Sequence, residues 1–235
     1  MIYRRVLIKL SGEALGENGR LFDYAQIDCV AGVIAQLSRR GAQIGIVIGA
    51  GNIWRGRQGA AANINATTAD HMGMLGTMIN SLAMQDAIER LGVETRLQTA
   101  VEMVRFAESY TYRRAIRHLE KDRVLLFACG TGNPFFSTDT AAALRAVEIE
   151  ADAILLAKNI DGVYDDDPRA NPNAKLIADL TYSEAILRGL RVMDPSALTI
   201  CNENKVPAIR VFGLEQPENI LRVMDGDTMG TLVHP

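Results

Sequence analysis

Short apolar runs alternate with stretches of helical periodicity along this whole chain, and that alternation leaves few folds open to it. Arg5–Leu10 (R-V-L-I-K-L) reads as a buried strand. Beyond Asp23, Ile27, Val30, Ala31, Ile34 and Leu37 recur at helical spacing until Gly41 stops the helix. Gln43–Ile48 is the next strand, and Met72, Leu75, Ile79, Leu82 and Ile88 mark a long helix that stops near Gly92. A weak strand over 94–98, a helix over 112–120 and a strand over 123–129 follow. Thr138 and Asp139, good residues for a helix start, open an Ala-rich helix. Beyond it the pattern predicts a buried strand over 153–157, short helices over 181–190 and 195–204, and a strand over 208–212. A helix over 217–224, with Pro217 near its first turn, and a last strand over 230–233 complete the series. Strands that alternate with helices indicate a mostly parallel sheet covered on both faces, here a three-layer αβα sandwich. No Pro/Gly/Ser-rich linker, repeat or low-complexity tract breaks the series, so residues 1–235 are expected to form one domain.

Composition removes several functions. With 25 Lys+Arg against 28 Asp+Glu the net charge is -3, which argues against DNA or RNA as a partner, since phosphate-backbone binding needs clustered basic excess. The apolar runs are far shorter than the ~18 residues of a membrane span. Met1-Ile2-Tyr3-Arg4-Arg5 leads straight into a strand, without the apolar core and cleavage site of a signal peptide, so a cytoplasmic location is expected. Cys29, Cys129 and Cys201 are too scattered for a disulfide framework, and with His71, His118 and His234 they show no metal-ligand spacing; they are expected to be reduced, mostly buried thiols.

The chemistry-bearing residues gather at turns. Three Gly-containing turns each follow a strand: Ser11-Gly12, Gly49-Ala50-Gly51-Asn52 and Gly130-Thr131-Gly132-Asn133. In a parallel sheet all three open on the carboxyl edge, where such folds bind ligands. Glycine lets the backbone approach a ligand, and successive N–H groups cradle phosphate oxygens. The first turn is led by Lys9, an isolated charge in an apolar strand of a chain with only five Lys among its 25 basic residues. Together these features point to a polyphosphate site. No G-x-x-x-x-G-K-[ST] occurs; Trp54 stands where the dinucleotide fingerprint needs its third Gly; neither H-R-D nor D-F-G is present.

Four runs carry a resemblance. Residues 9–15 (K-L-S-G-E-A-L), 69–75 (A-D-H-M-G-M-L), 130–138 (G-T-G-N-P-F-F-S-T) and the turn Asp161-Gly162-Val163-Tyr164 with Asp167-Pro168 are similar to those of the bacterial uridylate (UMP) kinases, within the amino-acid kinase superfamily. The first and last runs are shared with the wider superfamily, whereas the middle two are narrower. The resemblance runs on through Met193-Asp194 to Gly230-Thr231-Leu232. It implies phosphoryl transfer from MgATP to UMP in pyrimidine nucleotide biosynthesis. Lys9, Asp139 and Asp194 would be catalytic, the two acids lying near Lys9. Lys9, Leu10, Ser11, Gly12, Gly51 and Arg55 would contact the ATP phosphates, and Asn159, Tyr164 and Asp167 would surround adenosine. Ala50, Asp70, Thr131, Gly132, Asn133, Pro134, Phe135, Phe136, Ser137 and Thr138 would bind UMP, with Asp70 on the ribose. Residues 1–150 would hold the acceptor and 151–235 the ATP. The resemblance also implies Mg²⁺ carried by the nucleotide, a homohexamer, and GTP or UTP as effectors.

Other readings of the same residues stay open. Lys9 could reach solvent from a strand end. Asp70 and His71 could cap a helix starting before Met72. Met72, Met74, Met78 and Met84 suit core or subunit packing, and Asp165 and Asp166 a solvated turn. His71 and His118 remain unassigned. Position 50 is Ala where the resembled family has a third consecutive Gly; it is tolerated if only small size and an N–H are needed there. A kinase acting on a carboxylate or carbamate, and a nucleotide-binding regulator without activity, are the rival functions; residues 130–138 argue against the first, and Lys9 with Asp139 and Asp194 against the second.

Overall fold

The computed structural model describes residues 1–16, 20–54 and 63–235. Strands β1 (Arg5–Leu10), β2 (Gln43–Ile48), β3 (Thr95–Thr99), β4 (Glu108–Ser109), β5 (Val124–Ala128), β6 (Ala153–Lys158), β9 (Asp179–Thr181), β10 (Ile209–Gly213) and β11 (Thr231–His234) form one sheet. The remaining pair, β7 (Val163–Tyr164) and β8 (Leu176–Ile177), makes a small antiparallel ribbon. The large sheet runs β4-β3-β5-β2-β1-β6-β10-β11-β9, and every pairing in it is parallel except β10 with β11. The expected αβα class is therefore the observed one. Central β1 has β2 on one side and β6 on the other, so the strand order reverses about it. Such a reversal opens a crevice beyond the carboxyl ends of the strands, where Lys9 and Leu10 end β1.

Alternation along β1 explains both faces. Val6, Ile8 and Leu10 enter a core with α1 (Tyr24–Arg39), α2 (Ala66–Arg90) and α7 (Asn219–Met224), through Ile34, Met78 and Val223 among others. Leu7 enters the opposite core, where Leu125, Phe127, Ile154 and Leu156 pack on α4 (Thr138–Glu148) and α6 (Pro195–Glu203) through Ala142, Ala146, Leu198 and Cys201. Lys9 belongs by parity to this second face. Helices α3 (Tyr112–Leu119) and α5 (Tyr182–Leu187) complete it.

Local chemistry fixes the helix starts. Asn65 caps α2 through the amides of Thr67 and Thr68, so the helix begins well before Met72, and Asp70 sits inside it rather than at its cap. The last helix, α7, starts at Asn219, two residues later than expected, with Pro217 just before its first turn. Met74, Met78 and Met84 are core, whereas Met72 lies on the outer face of α2. Among the described residues no helix is long and apolar enough to cross a membrane.

Candidate active site

The three Gly turns meet at the carboxyl edge. A Cβ on Gly12 would come within 2.4 Å of the Gly49 carbonyl oxygen, 2.5 Å of the Gly51 nitrogen and 2.7 Å of Asn52 Oδ1, so only glycine lets the first two turns interlock. The second turn is pinned from below. Asn80, buried in α2, donates to the Gly49 carbonyl at 2.7 Å and exchanges amide hydrogen bonds with Asn52 at 2.8 and 3.0 Å. The third turn needs left-handed backbone at Cys129, Gly130, Gly132 and Phe135, with φ of 63°, 59°, 79° and 68°. The Cys129 amide donates to Thr77 Oγ1 at 2.8 Å, which ties this turn too to α2.

Lys9 meets Asp139 at 2.8 Å, and both side chains are largely buried. A buried lysine paired in this way is held in place, not reaching for solvent. Asp139 is in the first turn of α4, whose N-cap Ser137 accepts from the Asp139 and Thr140 amides at 2.9 and 3.2 Å. Asp194 is the N-cap of α6 and accepts from the Ala197 amide at 3.0 Å. Its carboxylate also accepts from Ser137 Oγ and, at 3.0 Å, from Thr140 Oγ1. Burial pushes the Asp194 carboxyl up, but the bonds from Ser137, Ala197, Thr140 and Ser196 outweigh it and leave the group below the usual aspartate range. Asp194 therefore stays ionised and joins the starts of α4 and α6.

Two cavities open on either side of the α4 start. A smaller one of about 220 Å³ is lined by Ala50, Trp54, Asp70, Gly73, Thr77, Thr131, Asn133, Phe136, Ser137 and Thr138. A larger one of about 580 Å³, a common size for a small-molecule site, is lined by Lys9, Ser11, Asp139, Lys158, Asn159, Tyr164 and Asp167, and also by Arg188 and Arg191. Consecutive Thr138 and Asp139 thus divide the two. Leu10 and Gly12 are buried and line neither cavity. Asn159 reaches Glu13 at 3.2 Å, Tyr164 donates to Asp161 at 2.8 Å, and Asp167 accepts from the Arg169 amide at 3.0 Å. Gly132, Pro134 and Phe135 share the third turn with the lining residues without facing the small cavity. The Phe135 ring is exposed, and its backbone N–H donates to Asp70 Oδ2 at 2.8 Å. Arg55 lies outside the described residues.

Ala50 is absent from the left-handed region, so its place in the turn asks for a small residue and not for glycine's freedom. The room comes from Gly76 on α2, where a Cβ would stand 2.9 Å from that of Ala50. One side chain on the larger wall was not expected from the sequence. Lys158 ends β6 and donates to the backbone carbonyls of Val192 and Arg191. Burial pushes its amine below the lysine range; Asp139 opposes this and Lys9 adds to it. Among the described residues no three acidic, His or Cys side chains form a metal-holding group.

Residues 4–212 match the model of the amino acid kinase family. The fold superposes on UMP kinase from Bacillus anthracis with a TM-score of 0.95 at 36% identity, over 99% of this chain and 96% of that one. For UMP kinase from Ureaplasma parvum the values are 0.94 and 36%, over 100% of each chain. Uridylate kinase from Archaeoglobus fulgidus superposes at 0.75 with 25% identity, over 97% of this chain and 99% of that one. A family model that covers most of the chain and two full-length likenesses at over a third identity agree with the interlocked turns and the Lys9–Asp139 pair: the chain belongs to the amino acid kinase family.

Proposed function

We propose that this chain is a UMP kinase that moves the terminal phosphoryl group of ATP to the phosphate of UMP, releasing ADP and UDP for pyrimidine nucleotide synthesis. The observation that carries this is its full-length likeness, at 36% identity, to two bacterial UMP kinases. The geometry supplies roles that fit. The larger cavity takes ATP, with Lys9, Leu10, Ser11, Gly12 and Gly51 at the phosphates and Asn159, Tyr164 and Asp167 at adenosine. The smaller cavity takes UMP, with Asp70 on the ribose and Ala50, Thr131, Asn133, Phe136, Ser137 and Thr138 around the base and phosphate. Gly132, Pro134 and Phe135 shape that wall through the backbone.

A UMP phosphate oxygen attacks the γ-phosphorus while the bond to the β,γ-bridging oxygen breaks. Charge is conserved when ATP⁴⁻ and UMP²⁻ become ADP³⁻ and UDP³⁻, so no proton need leave the acceptor. Position and electrostatics then do the catalysis. Lys9 is the compact positive charge beside the moving group, Asp139 fixes Lys9, and Asp194 fixes the α4 start that carries Asp139. Mg²⁺ carried by ATP would offset phosphate charge. Asp139 is engaged by Lys9 and Asp194 by hydroxyls, which suits an ion held chiefly by the nucleotide.

The enzyme is further read as a cytoplasmic homohexamer open to GTP or UTP as effectors. The exposed Met72, Leu75, Ile79 and Leu82 on one face of α2 support contact between copies. An ADP-release assay with ATP and UMP, CMP, dUMP or glutamate tests the function. UMP should be best and dUMP poorer, since a site built to bond a hydroxyl rejects its absence. Turnover with glutamate but not UMP would overturn the proposal.

A further inference from the structure

The lysine at the end of β6 has chemistry that the roles above leave unused. Leu156 pairs with Lys9 across the β1–β6 ladder, and Lys158 lies two residues further on. Side chains alternate along a strand, so Lys9 and Lys158 stand on the same face of the sheet, the face that carries α4 and Asp139. Both lysines and Asp139 line the larger cavity. Both ammonium groups face a cavity wide enough for a nucleotide, whereas the Asp194 carboxylate is taken up by Ser137 and Thr140. A lysine ammonium has three donors. Two of those of Lys158 go to neutral acceptors, the carbonyls of Val192 and, at 3.5 Å, Arg191. These carbonyls belong to the segment that brings Arg188 and Arg191 to the cavity wall. Two residues beyond Val192, Asp194 binds Ser137 and Thr140, next to Asp139. The contacts close a ring: Lys9 to Asp139, along the start of α4 to Asp194, back to Val192, and through Lys158 to the strand beside Lys9.

We propose that Lys158 is a second phosphate-binding cation of the transfer site, which holds the 191–192 backbone with two donors and turns its remaining charge and donor to the terminal phosphoryl oxygens of a nucleoside triphosphate. An ammonium–phosphate bond carries charge at both ends, unlike the ammonium–carbonyl bond, and the second cation offsets the charge that spreads over the phosphoryl oxygens as the group moves. The role rests on the kinase reading of the site, but its ATP end does not depend on which acceptor is used. Lys158 touches the nucleotide in this account and is a catalytic residue; its hold on the 191–192 carbonyls is a separate, positioning contribution.

Two variants separate these contributions. Lys158→Met removes charge and donors, whereas Lys158→Gln keeps donors for the carbonyls and removes only the charge. Binding of ATP and of AMP, each with Mg²⁺, is measured by calorimetry, and ADP release is measured with UMP. Both variants should lose about tenfold or more in ATP affinity, keep AMP affinity within about twofold because AMP lacks the terminal phosphates, and fall by roughly 10²-fold in kcat. Equal losses for ATP and AMP in Lys158→Gln would make Lys158 a prop of the cavity wall and overturn the proposal. ATP affinity and kcat at the wild-type level in Lys158→Gln would overturn it too. If Lys158→Met does not fold, Lys158→Gln decides alone. Should the wild-type protein release no ADP with UMP, the acceptor assignment fails while the comparison of ATP with AMP still decides Lys158.

Discussion

Ala50 and Gly76 share a space that holds one methyl group. The sequence left open whether Ala50 strains its turn; the backbone answers that it does not, and the cost is borne by position 76. Gly76→Ala should force two Cβ atoms to 2.9 Å and lower stability by about 1–3 kcal/mol, as overpacking does. Ala50→Gly combined with Gly76→Ala should recover most of that loss, with a coupling of about 0.5–3 kcal/mol in a thermal-unfolding cycle. Additive effects would show that the two positions do not share the space. Lys9 tests the chemistry instead. Lys9→Ala should fold and bind UMP, since Lys9 lines only the larger cavity, and should lose roughly 10²–10³ in turnover. Near-wild-type ADP release from the purified variant would remove Lys9 from the mechanism. Lys9 was legible in the sequence because it is a charge inside an apolar run. Lys158 was not, because the apolar pattern of β6 ends at Ala157 and a lysine just beyond a strand reads as an ordinary solvated end. Its importance comes from β1 lying alongside, which a linear pattern does not show.

At the scale of elements, helix starts build the site. Asp194 was legible only through the family resemblance, yet its physical role is plain: one carboxylate caps α6 and holds the cap of α4. Asn is a competent cap, but Asp194→Asn removes the charge from the bonds to Ser137 and Thr140 and should cost about 1–2 kcal/mol at neutral pH. The pH dependence has a definite sign. The native carboxyl lies below its ordinary value, so its stabilisation is complete above the unfolded-state pKa of about 3.9 and disappears as pH falls through the lower native value. Denaturant titrations should therefore show wild type and Asp194→Asn separated at pH 7 and converging below about pH 4. A constant gap would mean that the amide loses shape rather than charge. The helix series was read closely from periodicity, but the start of α2 was not. Asn65 lies beyond the apolar repeat, so the cap was sought near Asp70, which instead faces the third Gly turn. Strands β4, β7, β8 and β9 were missed because two or three residues carry no period, and their pairing is set by distant partners.

At the scale of the whole molecule, the strand order places everything. The parallel sheet and its ligand-bearing edge were legible from the alternation of strands and helices, whereas the reversal of order about β1 was not, since nothing local says that β6 returns to its side. That reversal puts Lys9 in the larger of two adjoining cavities, the one proposed above for the triphosphate, with neither cavity lined by a histidine. A hydroxyl acceptor would need a base there. A phosphate monoester does not, because its second pKa near 6 leaves it mostly a dianion at pH 7. With Asp194 held ionised well below that region, kcat/KM for UMP should rise through a pH near 6 with the substrate's own ionisation. Asp194→Asn should lower the plateau and leave the inflection in place. Replacing UMP by a uridine 5′-phosphorothioate, whose monoester ionises at lower pH, should move the inflection down with the substrate. If the inflection instead stays fixed as the substrate changes and shifts on mutation of Asp139 or Asp194, a carboxylate of the enzyme is taking a proton, and transfer by position and charge alone is the wrong mechanism.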